Sequence, residues 1–333
     1  MKEEYEVSFE KSLDKVPGGT FELKRHNVED THNPLLVEQF TTQTKGKGRI
    51  ESFLLFPGIE LSFHQYLAEH VRFHHEPKNS VLEINHCHKG RIGWNMREGA
   101  AIYLGVGDLC LHSMASCADS EMTLPLGYYE GVSVTVDLLE LKTNCPEILQ
   151  EAGFDAKAIY QKFCVEGSPL GITSNSSIDN VFSALYTLPE RLRIPYYKLK
   201  AQEILLFLLQ LKPTAEKKLT QYGSQQTELI KDVRNFLIQH LDQRFTIEEL
   251  AKKYLLNTSS LKAVFKAVYG MPIASYVKEY RMRQAMTLLR DTDDSIAIIA
   301  EKVGYETQGK FTKAFKEKVQ MLPTEYRKLY WQG

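Results

Sequence analysis

The sequence has few of the features that would place a protein in a membrane or in an oxidising compartment. Its most apolar run, residues 204–211 (ILLFLLQL), is far shorter than the ~20 residues that cross a bilayer. The first twenty residues are acidic and lack the basic start and apolar core of a secretory signal peptide. The cysteines are odd in number, and no two have the spacing of a zinc-binding pair. We therefore expect a cytoplasmic protein with reduced thiols at Cys87, Cys110, Cys117, Cys145 and Cys164.

The whole chain has almost no net charge, but its charge is unevenly divided. It carries 41 basic and 42 acidic residues. Residues 225–333 hold 18 basic residues against 13 acidic ones, whereas the remainder holds 23 against 29. A length of 333 residues predicts two domains. A basic C-terminal domain indicates contact with a polyanion at that end of the chain.

The N-terminal half predicts a β domain followed by helices. Short apolar runs alternate with turn signals, and strands of this kind form a barrel or a sandwich. The clearest runs are residues 80–85, 101–104, 109–112 and 131–136. From Ser177 the apolar residues follow helical spacing, and Pro195 suits the first turn of a second helix. The expected organisation is a β domain over 1–176, a helical segment over 177–212, a polar linker over 213–227 and a helical domain over 228–333.

The C-terminal hundred residues contain a degenerate repeat with a period of 49 to 50 residues, over 247–266 and 296–316. Each copy has the apolar positions of a short helix, a tight turn and a second amphipathic helix that ends in Phe-Lys. The small residue of the first helix, Ala251 or Ala300, lets the second helix cross close to it. This is the packing requirement of a helix-turn-helix.

Capping residues and a spacer complete the repeat. Asn257 can cap the second helix of the first copy; in the second copy Gly304 marks the turn, and Glu306 or Thr307 the cap. Residues 273–291 predict a helix about 28 Å long between the copies. Successive major grooves on one face of B-DNA are ~34 Å apart. The spacer therefore suits the presentation of both second helices to one duplex.

Residues 229–329 resemble the DNA-binding domain of the AraC/XylS family, over nearly a third of the chain. The resemblance rests on IAEKVGY (299–305), FTKAFK (311–316) and PTEYRK (323–328). It departs from the pattern at Thr258, where proline is frequent, at Gln320, where glycine often follows the helix, and at Gly309-Lys310, where larger residues are usual. The resemblance implies that double-stranded operator DNA is the partner. Carried over by position, the contacts are Ser259, Ser260, Lys262, Ala263 and Lys266 in the first copy, and Thr307, Gln308, Gly309, Lys310, Lys313 and Lys316 in the second.

These residue types suit two kinds of DNA contact. Lysine pairs with guanine acceptors or phosphate, and glutamine can bond adenine with two hydrogen bonds. We expect Lys266 and Lys316 to touch the backbone rather than bases. The plain alternative is that these lysines are solvated helix faces. Phe265, Phe311 and Phe315 are expected in the core.

The family usually joins such a domain to a cupin-type barrel that binds a small effector, followed by helices that dimerise. Residues 103–111 (YLGVGDLCL) are similar to the cupin turn before an inward-facing strand. The resemblance therefore implies an α+β protein with an N-terminal cupin-like β-barrel, dimerisation helices and a C-terminal all-α double helix-turn-helix. Its partners would be a small-molecule effector, a second subunit and RNA polymerase. Candidate effector contacts are His86, His88, Trp94, Met96 and Tyr103, for which a structural role or core packing is the alternative. Candidate dimer contacts are Leu205, Leu208 and Leu209, for which an intramolecular core is an alternative.

A metal-dependent cupin-type enzyme fused to a DNA-binding domain is the competing interpretation, and a DNA-binding protein without an effector is another. Nine of the ten histidines precede residue 113, and His86 and His88 lie on one face of a predicted strand. A metal or haem site that includes His64, His74 or His112 is the alternative that this pattern leaves open. No carboxylate follows at the spacing of a metal-binding cupin motif. No catalytic triad or phosphate-binding loop is present either. We assign no cofactor, metal or catalytic residue.

Overall fold

A computed structural model describes residues 13–26, 39–40, 46–74, 78, 80–96, 99–163, 169–186 and 188–331. The chain divides into two compact units, Met1–Ser224 and Gln225–Gly333. The first unit is built mainly of β-sheet and the second of helices, which confirms a mixed α and β protein with a helical C-terminal domain. No helix within the described ranges is long and apolar enough to cross a membrane.

The strands of the first unit form two sheets. Those described are β1 (Phe21–His26), β2 (Gln39–Phe40), β3 (Gly46–Phe56), β4 (Ile59–Ala68), β5 (His70–His74), β6 (Val81–Gly90), β7 (Ile92–Met96), β8 (Ala100–Leu104), β9 (Leu109–Ser113), β10 (Cys117–Thr123), β11 (Tyr128–Asp137), β12 (Leu170–Ile172) and β13 (Tyr222–Gly223). One sheet has the order β1-β3-β4-β11-β6-β9-β12, and the other β13-β8-β7-β10-β5-β2. Strands at each of the four predicted runs are confirmed.

The two sheets form a sandwich rather than a closed barrel. In the described ranges β1 and β12 are the edges of one sheet, and β13 and β2 are the edges of the other. The predicted cupin-like barrel is therefore not confirmed. The edge strands β2, β12 and β13 are two or three residues long, too short for the continuous ladder that closes a barrel. Residues of both sheets share one buried cluster, which includes Tyr66, Tyr129, Trp94, Met96 and Ile102.

Helices cover the outer face of the seven-stranded sheet. They are α1 (Glu147–Glu151), α2 (Ala156–Phe163), α3 (Ser176–Phe182) and α4 (Arg193–Gln210). Side chains alternate across a strand, so Val132, Val134 and Val136 of β11 pack against these helices. Ser133 and Thr135 of the same strand point to the opposite face, toward the second sheet. The predicted change to helix after Ser177 is confirmed in α3 and α4.

The leucines of α4 belong to this chain's own core. Leu205 and Leu208 are completely buried there, and Leu209 packs against the same cluster. A side chain with no accessible surface cannot contact a second subunit. The prediction that Leu205 and Leu208 make dimer contacts is therefore wrong, and the intramolecular alternative applies to them. The exposed large apolar side chains in and beside α4 are Leu192, Tyr196 and Leu199.

The second unit is helical throughout its described residues. Its helices are α5 (Ser224–Gln239), α6 (Ile247–Lys253), α7 (Thr258–Tyr269), α8 (Ile273–Asp291), α9 (Ile296–Lys302), α10 (Gln308–Val319) and α11 (Pro323–Tyr330). The spacer helix predicted over residues 273–291 is α8, with those bounds. The unit boundary after Ser224 falls inside the predicted linker 213–227. The end of that linker differs from the prediction, because α5 begins at Ser224 and Thr227 is completely buried.

Candidate DNA-binding surface and buried polar face

The first helix-turn-helix consists of α6 and α7. The Thr246 hydroxyl accepts a hydrogen bond from the Glu249 N–H at 3.1 Å, and the Glu249 carboxylate accepts one from the Thr246 N–H at 2.8 Å, which caps α6 at its start. Asn257 caps α7, as predicted, because its Oδ1 accepts a hydrogen bond from the Ser260 N–H at 2.6 Å. In the four residues between the helices, Leu255 has a left-handed backbone with φ 53°.

The second helix-turn-helix consists of α9 and α10. Thr307 rather than Glu306 caps α10, since its hydroxyl accepts a hydrogen bond from the Lys310 N–H at 3.2 Å. The turn is one residue longer than in the first copy and contains Gly304 with φ 77°, which confirms the predicted turn glycine. A Cβ at Gly304 would collide with the carbonyl oxygen of Leu241. Glycine is therefore required at this position.

Buried aromatic residues anchor the second helix of each helix-turn-helix, α7 and α10, which we call the recognition helices. Phe265 in α7, and Phe311 and Phe315 in α10, have no accessible surface, which confirms that they are core residues. Ala251 and Ala300 are also buried, in the first helix of each pair, where a small side chain permits close crossing. Each recognition helix therefore turns one face inward and leaves the opposite face to solvent.

The outer face of α7 carries most of the contacts predicted for the first copy. Its exposed residues are Ser259, Lys262, Ala263 and Lys266. Neither lysine pairs with another side chain in the described part of the chain. Ser260 differs from the others, because it is half-buried and its hydroxyl accepts a hydrogen bond from Gln226 Nε2 of α5 at 2.8 Å.

The outer face of α10 carries the contacts predicted for the second copy. Its exposed residues are Gln308, Gly309, Lys310, Lys313 and Lys316, with Thr307 at the cap. Lys310 forms an ion pair with Glu306. The Glu306 Oε1 atom also lies 3.1 Å from Nη2 of Arg244. The hydrogen bond from Lys310 is the main cause that lowers the pKa of the Glu306 carboxyl. Sequence reasoning missed both partners: the i, i+4 spacing signals the Glu306–Lys310 pair, whereas Arg244 comes from the loop before α6.

Two capped recognition helices, each with an exposed basic face and joined by a rigid spacer, define a helix-turn-helix DNA-binding domain. A helix-turn-helix domain family matches residues 250–329. RhaR, a transcriptional activator of Mannheimia succiniciproducens, is 36% identical over 91 residues, which cover 27% of this chain and 33% of RhaR. The transposon Tn10 TetD protein of Escherichia coli is 33% identical over 102 residues, which cover 31% of this chain and 74% of TetD. The chain belongs to the AraC/XylS family of transcription regulators.

The helix-turn-helix family match lies within the second unit. The chain spans about a third of the length of RhaR and of the Escherichia coli melibiose operon regulatory protein, the latter at 31% identity over 100 residues. Among solved structures, the C-terminal domain of the response regulator YesN from Fusobacterium nucleatum is 33% identical. The match covers 29% of this chain and 95% of the YesN domain, with a TM-score of 0.28.

The five predicted effector contacts lie on three different surfaces of the first unit. His86 and His88 point toward the helices, where His86 stacks on Phe182 and His88 stacks on Tyr186. Trp94 and Met96 point into the cluster between the sheets. Tyr103 lies opposite Gly93, next to inward-pointing Ile102, and therefore on the outer face of the second sheet. The structure thus brings together Trp94 with Met96, and His86 with His88, but not all five.

The histidines considered for a metal site are also divided. His64 and His112 lie on the opposite face of the sheet from His86 and His88. The side chain of His74 and the whole of Cys164 lie outside the described residues, as does the side chain of Cys117. Among the described residues, no group of three or more histidine, cysteine, aspartate or glutamate side chains is placed to hold a metal ion. Burial lowers the pKa of His64 to about 3, and burial with the nearby His88 lowers that of His86 to about 3, so both are neutral at pH 7.

The inner face of the seven-stranded sheet is polar although it is buried. The hydroxyls of Ser52 and Ser62 are 2.6 Å apart, and Nε2 of His64 lies 2.7 Å from the Ser133 hydroxyl. The hydroxyl of Tyr66 lies 2.8 Å from Nδ1 of the same histidine. Buried polar side chains are usually few in a protein, and they are usually isolated among apolar ones. Sequence reasoning did not identify this polar face.

Proposed function

We propose that this chain is a sequence-specific transcription regulator that reads DNA with α7 and α10 and senses a small molecule with its first unit. The observation that carries the DNA-reading part is the pair of exposed recognition faces on α7 and α10. On these faces Lys262, Lys266, Gln308, Lys313 and Lys316 have no side-chain partner in the described part of the chain. Their donors are therefore available to phosphate oxygens and base edges.

Four of these five residues are given one of two proposed roles. Lys266 and Lys316 lie late in their helices and are proposed to bind the DNA backbone. Lys262 and Gln308 lie in the first half of α7 and α10, the part of a recognition helix that enters the major groove, and are proposed to read bases.

The test is binding of the full chain to duplexes selected from a random pool, measured at several salt concentrations. Each lysine–phosphate contact contributes about 0.9 to the slope of log affinity against log salt. Lys266→Ala with Lys316→Ala should therefore reduce that slope by about 2. The matched control is Lys157→Ala, an exposed lysine of α2 in the first unit, which should leave the slope unchanged. A slope that is the same in the double variant and the wild type would refute the proposed backbone contacts.

The proposed sensing role is supported by polar groups in the first unit that lack a partner. Trp94 Nε1 and Thr135 Oγ1 are buried and have no hydrogen-bond partner in the described structure. Leaving such a group unpaired costs about 1–3 kcal/mol, so a ligand that supplies the partner gains that energy. If the ligand changes DNA affinity, DNA must change ligand affinity by the same factor. Calorimetry of ligand binding with and without operator DNA measures this, and equal affinities would exclude such coupling.

A dimer is proposed to form through the exposed side of α4. Leu192, Tyr196 and Leu199 lie at i, i+4 and i+7, on one side of the helix, and are at least a third exposed. Replacing Leu199 by Glu should convert the dimer to a monomer in sedimentation, whereas a dimer that persists would place the interface elsewhere. A cytoplasmic location and contact with RNA polymerase belong to the same proposal.

A further inference from the structure

Three residues of the buried polar face stand in one row across the central strands. Thr135 of β11 is directly opposite Glu60 of β4 on one side and Glu83 of β6 on the other. Strands lie about 4.8 Å apart, so the two glutamates flank Thr135 with Cα atoms roughly 10 Å apart. Val134 and Val136, the neighbours of Thr135, face the helices. The threonine and both glutamates therefore point between the sheets.

Two buried polar atoms in and near this row lack a partner. Thr135 is completely buried and its hydroxyl has no hydrogen bond in the described structure. Trp94 is 7% exposed, and its indole N–H is likewise unpaired. The Trp94 ring lies 5.6 Å from the ring of His112, and His112 is opposite Glu83 in the same row. The Thr135 hydroxyl beside two carboxylates and the Trp94 N–H near His112 are therefore polar groups that a bound ligand would satisfy.

The charge of this face selects against an anion. On β3, β4, β11, β6 and β9 no lysine or arginine side chain points to the inner face in the described structure. Arg25 is exposed on the edge strand β1, beside Ser52. His64 adds no positive charge because burial lowers its pKa to about 3. Asn85 Nδ2 donates to Glu83 at 3.1 Å, and His112 Nε2 lies 3.9 Å from the same carboxylate.

We propose that the sensed molecule is a primary amine whose ammonium group lies between Glu60, Thr135 and Glu83. An ammonium group has three N–H donors and a positive charge, and the row offers two carboxylates and one unpaired hydroxyl oxygen. Trp94 covers the apolar part of the amine and offers its N–H to an acceptor elsewhere on the molecule. This inference rests on the proposed sensing function and names the chemical class of its ligand.

The first test compares three probes of one shape and different charge, n-butylamine, n-butanol and n-butyrate, on the full chain. Binding is measured directly by ligand-observed NMR at pH 7. Butylamine should bind at least ten times more tightly than butanol, and butyrate should not bind. Equal binding of the amine and the alcohol, or tighter binding of butyrate, would overturn the proposal.

The second test uses variants of the row. Glu83→Gln keeps the shape of the side chain and removes its charge, and Thr135→Val removes the hydroxyl with little change in volume. Each should weaken butylamine binding at least ten-fold. The matched control is Glu51→Gln on the outer face of β3, where the carboxylate pairs with His26 at 2.9 Å. That variant should bind butylamine like the wild type, and an equal loss in Glu83→Gln and Glu51→Gln would overturn the proposal.

A DNA-binding measurement separates this inference from the proposed sensing function. If butylamine binds to the row and leaves DNA affinity unchanged, the amine site is correct and the sensing function is wrong. If butanol or butyrate binds in preference and changes DNA affinity, the sensing function stands and the amine site is wrong.

Discussion

The two helix-turn-helix units derive from one repeat but place their glycine at opposite positions. In the first helix-turn-helix the turn residue is Leu255, with φ 53°, and the residue after α7 is Gly270, with φ 77°. In the second helix-turn-helix the turn residue is Gly304, with φ 77°, and the residue after α10 is Gln320, with φ 61°. A left-handed backbone costs a residue other than glycine roughly 1–2 kcal/mol. Each helix-turn-helix therefore bears this cost once, before the recognition helix in the first copy and after it in the second.

The surroundings explain why the turns differ. Leu255 is 94% exposed, so its side chain extends into solvent without a collision. Gly304 lies against the carbonyl of Leu241, and the guanidinium of Arg281 is within 2.6 Å of where a Cβ would be. The repeat geometry thus demands a left-handed residue in both turns, and packing decides whether that residue must be glycine.

The largest effect is expected from Gly304→Ala. The added methyl group combines a left-handed alanine with overpacking, so the free energy of unfolding of the second unit should fall by about 3 kcal/mol. Denaturant unfolding of the full chain, followed by the helical circular dichroism signal, measures the change. Leu255→Ala is the control in the first turn and should stay within about 0.5 kcal/mol of the wild type. Similar losses in both variants would mean that the two turns are equivalent.

The recognition helices also differ in the groups proposed to read bases, which are Lys262 in α7 and Gln308 in α10. Gln308→Ala should reduce discrimination between a selected site and a variant site by about 1–3 kcal/mol, because a two-bond contact to a base is lost. Lys316→Ala should instead weaken binding to both sites alike. Competition binding at one salt concentration measures both. If Gln308→Ala and Lys316→Ala gave the same pattern, α10 would not read bases through Gln308.

Replacing the residue after α10 by glycine should give the second helix-turn-helix the same C-terminal cap as the first. Gln320→Gly removes the left-handed strain and should raise the free energy of unfolding by about 1 kcal/mol. The reverse change in the first helix-turn-helix, Gly270→Gln, should lower the free energy of unfolding by a similar amount. Thermal unfolding of both variants decides the matter, and a stability decrease in Gln320→Gly would show that its side chain contributes more than its backbone costs.

The smallest effect is expected at Gly309, in the first turn of α10, where the equivalent residue of α7 is Ser259. A Cβ built at Gly309 meets no atom within 4 Å, so Gly309→Ala should stabilise the helix by about 0.8 kcal/mol. Ser259→Ala should have a smaller effect, of about 0.5 kcal/mol. Chemical unfolding can resolve the difference, and a destabilised Gly309→Ala would contradict the helix-propensity explanation.

The architecture of the second unit could be predicted from the sequence because its signals are local. Helical periodicity, the Asn257 cap, the Gly304 turn and the bounds of the spacer helix each depend on residues within a few turns of one another. The exposed side of each recognition helix follows from the same periodicity. The contact of Arg244 with Glu306 did not follow, since it joins a loop to a helix far along the chain.

In the first unit, the sequence by itself determined that strands are followed by helices and which runs form strands. It did not determine which residues share a face. Trp94 and Tyr103 were predicted to contact one effector, yet neighbouring positions in their strands point to opposite sides of the sheet. Glu60, Thr135 and Glu83 come together only through the pairing of β4, β11 and β6. Strand register is decided by contacts between distant segments, and a shift of one residue would turn every side chain to the other face, so only the tertiary structure could assemble this row.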